Sequence, residues 1–125
     1  MADVNRGNRP LSPPLLIYRP QLNSITSILV RITGNAMILA AFLLVWWLIA
    51  AASGATYFAT VDGIITSFLG DIVMALSVLG LWYHALGGVR HLVWDAGYGL
   101  DIDMADKMGW GMLIGSVALT FLTLI

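Results

Sequence analysis

The sequence predicts an all-α integral membrane protein with three transmembrane helices. Of its 125 residues, 59% are hydrophobic and only 10% are charged, where an ordinary soluble domain is about 25% charged. Long apolar runs alternate with short polar stretches, and every Lys and Arg lies in one of two segments. A soluble helical bundle would carry a polar face along each run, and these runs carry none. The net charge of −1 offers no basic surface to offset a phosphate backbone, so nucleic acid is excluded as a partner. Without cysteine the chain holds no disulfide or iron–sulfur cluster of its own.

Residues 1–23 are polar and contain Pro10, Pro13, Pro14 and Pro20. Prolines fix φ and remove backbone donors, so this segment reads as an extended arm at the cytoplasmic surface. It lacks the apolar core of a signal peptide and the long Arg/Ser-rich stretch of a transit peptide. That fits a bacterial inner-membrane protein or, less readily, an already processed mitochondrial one. Residues 24–125 form the membrane domain, with Asn23 or Ser24 as the expected helix cap.

The first span covers about residues 28–52, around the unbroken run 36–52 (AMILAAFLLVWWLIAAA), and meets the roughly 20 residues needed to cross a bilayer. Residues 53–70 make a Thr/Gly-containing connector with a partly helical end. The second span covers about residues 68–93. Its centre is charge-free between Asp71 and Arg90, and helix continues to about Asp95. Gly97, Gly99, Asp101, Asp103 and Asp106 then form a polar loop, and the third span covers about residues 107–125.

Orientation follows from the six basic residues. Arg6, Arg9, Arg19 and Arg31 precede or open the first span, and Arg90 and Lys107 flank the second loop. The connector and the C-terminal end have none. The positive-inside rule puts the N-terminus and the second loop on the cytoplasmic side. Trp94 and Trp110 then serve as inner aromatic anchors, and Trp46 and Trp47 as outer ones.

Ionisable groups inside a span are costly and read by default as functional. On the second helix Gly88, His91 and Asp95 all lie within about 40° of His84. One stripe therefore carries two imidazoles and a carboxylate. Gly87 and Gly88 remove bulk there, which admits a flat ligand or another helix. Small residues and a buried histidine also serve plain helix packing. A haem fits the combination, since imidazole is a suitable axial ligand. His84 lies about 10 Å deeper than His91, so iron ligation is assigned to His84. His91 is read as an interfacial group that bonds a propionate, water or a partner. Met37, Met74 and Met112 are in-chain alternatives for a second ligand, and a partner subunit is the simpler source. On the first helix Ser24, Ser27, Arg31 and Asn35 share a stripe. Ser27 and Arg31 could hydrogen-bond a carbonyl or a propionate; alternatively Arg31 merely snorkels and Ser24 merely caps.

Residues 84–97 (HALGGVRHLVWDAG) closely resemble the second signature of the cytochrome b membrane-anchor subunits of succinate dehydrogenase, respiratory complex II. The match falls on His84, Gly88, Arg90, His91, Trp94, Asp95 and Gly97. Residues 9–34 (RPLSPPLLIYRPQLNSITSILVRITG) resemble the family's N-terminal signature at Arg9, Pro10, Ser27, Arg31 and Thr33. The resemblance implies that His84 ligates a b-type haem shared with a second small anchor subunit. It implies that Ser27 and Arg31 border the ubiquinone site beneath the iron–sulfur subunit, which receives electrons from the flavoprotein. Asp95 would belong to a quinone-side network. The chain would be non-catalytic alone and one part of a heteromeric helical bundle. Two positions depart from the pattern, Val30 and Pro14, where histidine is usual or frequent. A histidine at position 30 is expected to change quinone-reductase kinetics and leave the haem spectrum intact.

Three other readings stay open on sequence alone. One is a haem-free structural anchor of a peripheral dehydrogenase. Another is a fumarate reductase anchor that oxidises quinol. The third is a small channel built on the His84/Asp95 stripe.

Overall fold

The computed structural model describes residues 17–125. Four helices follow in order: α1 (Leu22–Ser53), α2 (Ala55–Ile65), α3 (Phe68–Asp95) and α4 (Ile102–Leu124). There is no strand among the described residues. Helices α1, α3 and α4, of 32, 28 and 23 residues, are long and apolar enough to cross a membrane. At 1.5 Å per residue they reach about 48, 42 and 35 Å, against a hydrocarbon core of about 30 Å.

The apolar core is thin. Its buried hydrophobic residues are Ala50, Val61, Tyr83, Ala105 and Met112, whereas Leu39, Phe42, Leu76 and Phe121 are all at least 60% exposed. In water such a surface would be a large uncovered patch. In lipid it is the expected outer face, because acyl chains are as apolar as leucine. Association of the helices then depends on close backbone approach and polar bonds.

Both devices are present. Val30 of α1 packs on Gly87 of α3, where a Cβ at position 87 would stand 2.7 Å from Val30 Cγ2. On α4, Gly109 receives Leu22 and Thr26, and Gly115 receives Leu86. Tyr83 donates its hydroxyl to the Thr26 carbonyl (3.0 Å), and Trp82 donates Nε1–H to Thr123 (2.9 Å).

The ends of the elements differ from the sequence expectation in three places. Gln21, not Asn23 or Ser24, occupies the N-cap of α1 and makes no side-chain cap bond. Ser24 instead pairs with the Tyr18 hydroxyl at 3.0 Å. Residues 22 and 23, assigned to the arm, are therefore helical. The rest of the arm lies largely outside the described residues, with Arg6, Arg9 and Pro14.

The second difference is α2. Gly54, at φ 139°, breaks the chain after α1. Residues 55–65 then form a full helix where a connector with only a partly helical end was expected. Trp47 Nε1 donates to Asp62 Oδ1 (2.9 Å), and Trp46 Nε1 donates to the Tyr57 hydroxyl (2.8 Å). The two tryptophans thus tie α2 back onto α1.

The third is the polar loop, which shrinks to residues 96–101. Gly97, at φ 83°, closes α3 as its N–H bonds the Trp94 carbonyl and that of Tyr98 bonds the Val93 carbonyl. Asp101 accepts from the Met104 N–H (2.9 Å) and starts α4 early. Asp103 and Asp106 are helical as a result. Acidic residues favour the positive end of the helix dipole, and Asp103 lies in that first turn.

Candidate functional site

The contact between Val30 and Gly87 divides the α1–α3 interface into two flanks. Viewed from Val30, Gly34 and Ser27 are turned about 40° and 60° to one side and Arg31 about 100° to the same side. Thr26 and Thr33 are turned about 40° and 60° to the other. Viewed from Gly87, His91 and His84 are turned about 40° and 60° to one side, with Asp95 and Gly88 at about 80° and 100°. Tyr83 and Arg90 are turned the opposite way.

Contacts fix which sides meet. A Cβ at position 34 would stand 2.8 Å from His84 Cε1, so Gly34 makes the notch that holds the His84 ring. On the other side Arg90 and Tyr83 both bond Thr26, and α4 packs there. Ser27 and Arg31 therefore share a flank with His84, Gly88, His91 and Asp95, and α4 leaves that flank uncovered. Arg31, Gly88, His91 and Asp95 are exposed, and Ser27 and His84 are half-buried. Counted from the Val30–Gly87 contact, Ser27 and His91 sit at similar depth, about 4.5 and 6 Å toward the end that carries the basic residues.

The hydrogen bonds fix which ring nitrogen donates in both histidines. His84 Nδ1 is 3.0 Å from the Val30 carbonyl oxygen. A carbonyl only accepts, so Nδ1 is the donor and Nε2 is not engaged by this bond. His91 repeats the arrangement, with Nδ1 at 2.7 Å from the Gly87 carbonyl. A metal-bound imidazole commonly donates its other ring N–H to such an acceptor. A Cβ at position 88 would meet nothing within 4 Å. His84 Nε2, 3.8 Å from where a Gly34 Cβ would stand, is an imidazole nitrogen of the kind that ligates haem iron. The donor set fits that group.

Ser27 and Arg31 side chains form no hydrogen bond with another described residue. Asn35 donates to the Arg31 carbonyl at 3.1 Å and so spends its amide on its own helix. Met112 is 4% exposed and packs on Gly87 and Arg90, which makes it a core residue. Met37 lines the apolar groove between α1 and α3, and Met74 lines a cavity near Trp47 and Asp71.

Arg90 lies at the same membrane end as Ser27, Arg31 and Asp95, but on the opposite flank of α3, and is only 3% exposed. Its Nη1 donates to Thr26 Oγ1 (3.0 Å), and its Nη2 to Asn23 Oδ1 and the Ala105 carbonyl (3.0 Å). Asn23 in turn donates to Asp106 Oδ1 (2.8 Å). One guanidinium thereby joins α1, α3 and α4. Trp94, expected as an inner aromatic anchor, has its ring centroid 4.2 Å from that guanidinium and donates Nε1–H to the Gly99 carbonyl (2.9 Å). The sequence signal for this inner face is Tyr83, Gly87, Arg90 and Trp94, spaced as one buried helical stripe.

The Val30 side chain fills the Gly87 notch and its carbonyl holds His84. Position 30 is therefore a packing position, and a histidine there would press on Gly87 and on the neighbourhood of His84.

Residues 5–123 match the family described as succinate dehydrogenase/fumarate reductase transmembrane subunit. The chain is 53% identical over 125 residues to the succinate dehydrogenase cytochrome b556 subunit of Paracoccus denitrificans, covering 100% of this chain and 96% of that one. It is 42% identical over 115 residues to the cytochrome b556 subunit of Rickettsia conorii, covering 91% and 89%. To the succinate dehydrogenase cytochrome b560 subunit of Reclinomonas americana it is 37% identical over 111 residues, covering 85% and 77%.

Proposed function

Because the chain belongs to the succinate dehydrogenase/fumarate reductase transmembrane subunit family, we propose that it is the cytochrome b anchor of a succinate:ubiquinone oxidoreductase in a bacterial inner membrane. It holds a peripheral flavoprotein and an iron–sulfur subunit at the cytoplasmic face. With a second small anchor subunit it encloses a b-type haem and part of the ubiquinone-reduction site. The names of the relatives, all succinate dehydrogenase, favour quinone reduction over quinol oxidation.

The observation that carries this reading is the bond between His84 Nδ1 and the Val30 carbonyl. With Nδ1 engaged there, Nε2 is the nitrogen available to iron. Haem, when bound, supplies a one-electron carrier beside the quinone. The partner anchor would supply the other protein ligand to that haem.

The chain's own groups act on the quinone. Reducing it to quinol takes two electrons and two protons, and charge builds on the carbonyl oxygens on the way. A hydroxyl and a guanidinium at that point stabilise the charge by hydrogen bonding. Ser27 and Arg31 have that chemistry and share an uncovered flank. Asp95 and His91, exposed on the same flank, connect it to water at the basic end and so to a proton supply.

The test is steady-state turnover of the purified complex with succinate. Ser27→Ala and Arg31→Leu should each lower ubiquinone reduction tenfold or more, while electron transfer to a soluble dye that accepts upstream stays unchanged. Quinone kinetics equal to the parent in both variants would remove Ser27 and Arg31 from the site.

A further inference from the structure

The Arg90 network reaches the proposed site without touching it. On one side Arg90 holds Asn23 and Thr26, and Ser27 is the next residue along the chain. On the other it stacks on Trp94 at 4.2 Å. The Trp94 ring meets the His91 imidazole edge-on, with centroids 5.4 Å apart. Ser27 and His91, at similar depth on the uncovered flank, are thus backed by the same buried guanidinium.

We propose that Arg90 is a positioning residue for quinone reduction: it sets the spacing and rotation of Ser27 and His91 from behind. This rests on the proposed function, since it presumes that the flank binds quinone. The physical ground is rigidity. A buried arginine with its planar fork engaged on two other helices leaves α1 little freedom to slide along α3. The stacked indole is pinned at its far edge by the Gly99 carbonyl, so His91 has a fixed wall. His84 lies outside the network, held by Val30 and Gly34.

The distinction from a merely structural arginine is kinetic. If Arg90 only held the bundle together, weakening it would reduce the amount of complex and leave each surviving complex normal. If it positions Ser27 and His91, surviving complexes bind quinone less well. An error of about 1 Å in a reacting geometry can cost as much as a hundredfold.

The experiment compares Arg90→Lys and Thr26→Val in the full detergent-purified complex with short-chain ubiquinone. Thr26→Val keeps the buried volume and deletes one Arg90 contact, so it remains informative if Arg90→Lys fails to assemble. The expected result is a KM for quinone raised about three- to tenfold with dye reduction and haem content per complex unchanged. A parental KM in Thr26→Val, and in Arg90→Lys where it assembles, overturns the proposal. Ser27→Ala run in parallel separates the two levels. A raised KM there with parental values in the Arg90 and Thr26 variants defeats only the positioning role. Parental quinone kinetics in both Ser27→Ala and Arg31→Leu defeat the site reading beneath it.

Discussion

His84 Nδ1 and the Val30 carbonyl oxygen stand 3.0 Å apart, joining α3 to α1 through a side chain and a backbone group. The Val30 carbonyl also accepts from the Thr33 hydroxyl at 3.0 Å, so this oxygen is a shared acceptor and not one reserved for the ring. Gly34 makes the His84 bond possible by leaving room for the ring.

A methyl group at position 34 takes that room away. Gly34→Ala places a Cβ within 2.8 Å of His84 Cε1, and the ring must rotate or α1 must retreat. The complex is expected to assemble with a shifted haem midpoint potential or a reduced haem content. A redox titration followed in the visible region measures both. Parental values in this variant would mean that Gly34 does not set the ring.

Position 30 gives a second test. Val30→His forces a larger side chain against Gly87 and Met112. Overpacking of this kind costs about 1–3 kcal/mol. The expected outcome is a lower thermal midpoint of the complex together with an altered haem spectrum. A stable variant with a parental spectrum would contradict the packing role assigned to Val30.

The three spans were legible because lipid imposes a simple rule: every long apolar run without charge must cross. His84, His91 and Asp95 were legible because ionisable groups inside such runs stand out. The α2 helix was not. Its sequence, ATYFATVDGII, has five β-branched residues and a glycine, all poor helix formers. Bonds from Trp46 and Trp47 to Tyr57 and Asp62 tie it to α1, and these are tertiary contacts. The burial of Arg90 was not legible for a related reason. At a membrane boundary a cation normally points to water, and only the convergence of Asn23, Thr26 and Ala105 from two other helices makes burial tolerable. Likewise, the pairing of Gly87 with Val30 and Gly34 with His84 follows from the register between helices, which neither stripe encodes alone.

Orientation can be read chemically, because the native chain has no cysteine. Thr60 on α2 and Leu100 in the α3–α4 loop are both exposed. With the basic end inside, Thr60→Cys should react with a membrane-impermeant maleimide in intact cells. Leu100→Cys should react only after the membrane is opened. The opposite pattern would invert the topology.

The most direct test of the central claim is the reduced-minus-oxidised visible spectrum of the purified complex, recorded with succinate as reductant for the parent and for His84→Ala. The account requires a b-type haem band in the parent that succinate can reduce and that His84→Ala loses while the subunits remain assembled. An intact His84→Ala complex with the parental haem band would contradict the assignment of His84 as the iron ligand. An active parent with no haem band at all would leave a bare quinone-site anchor.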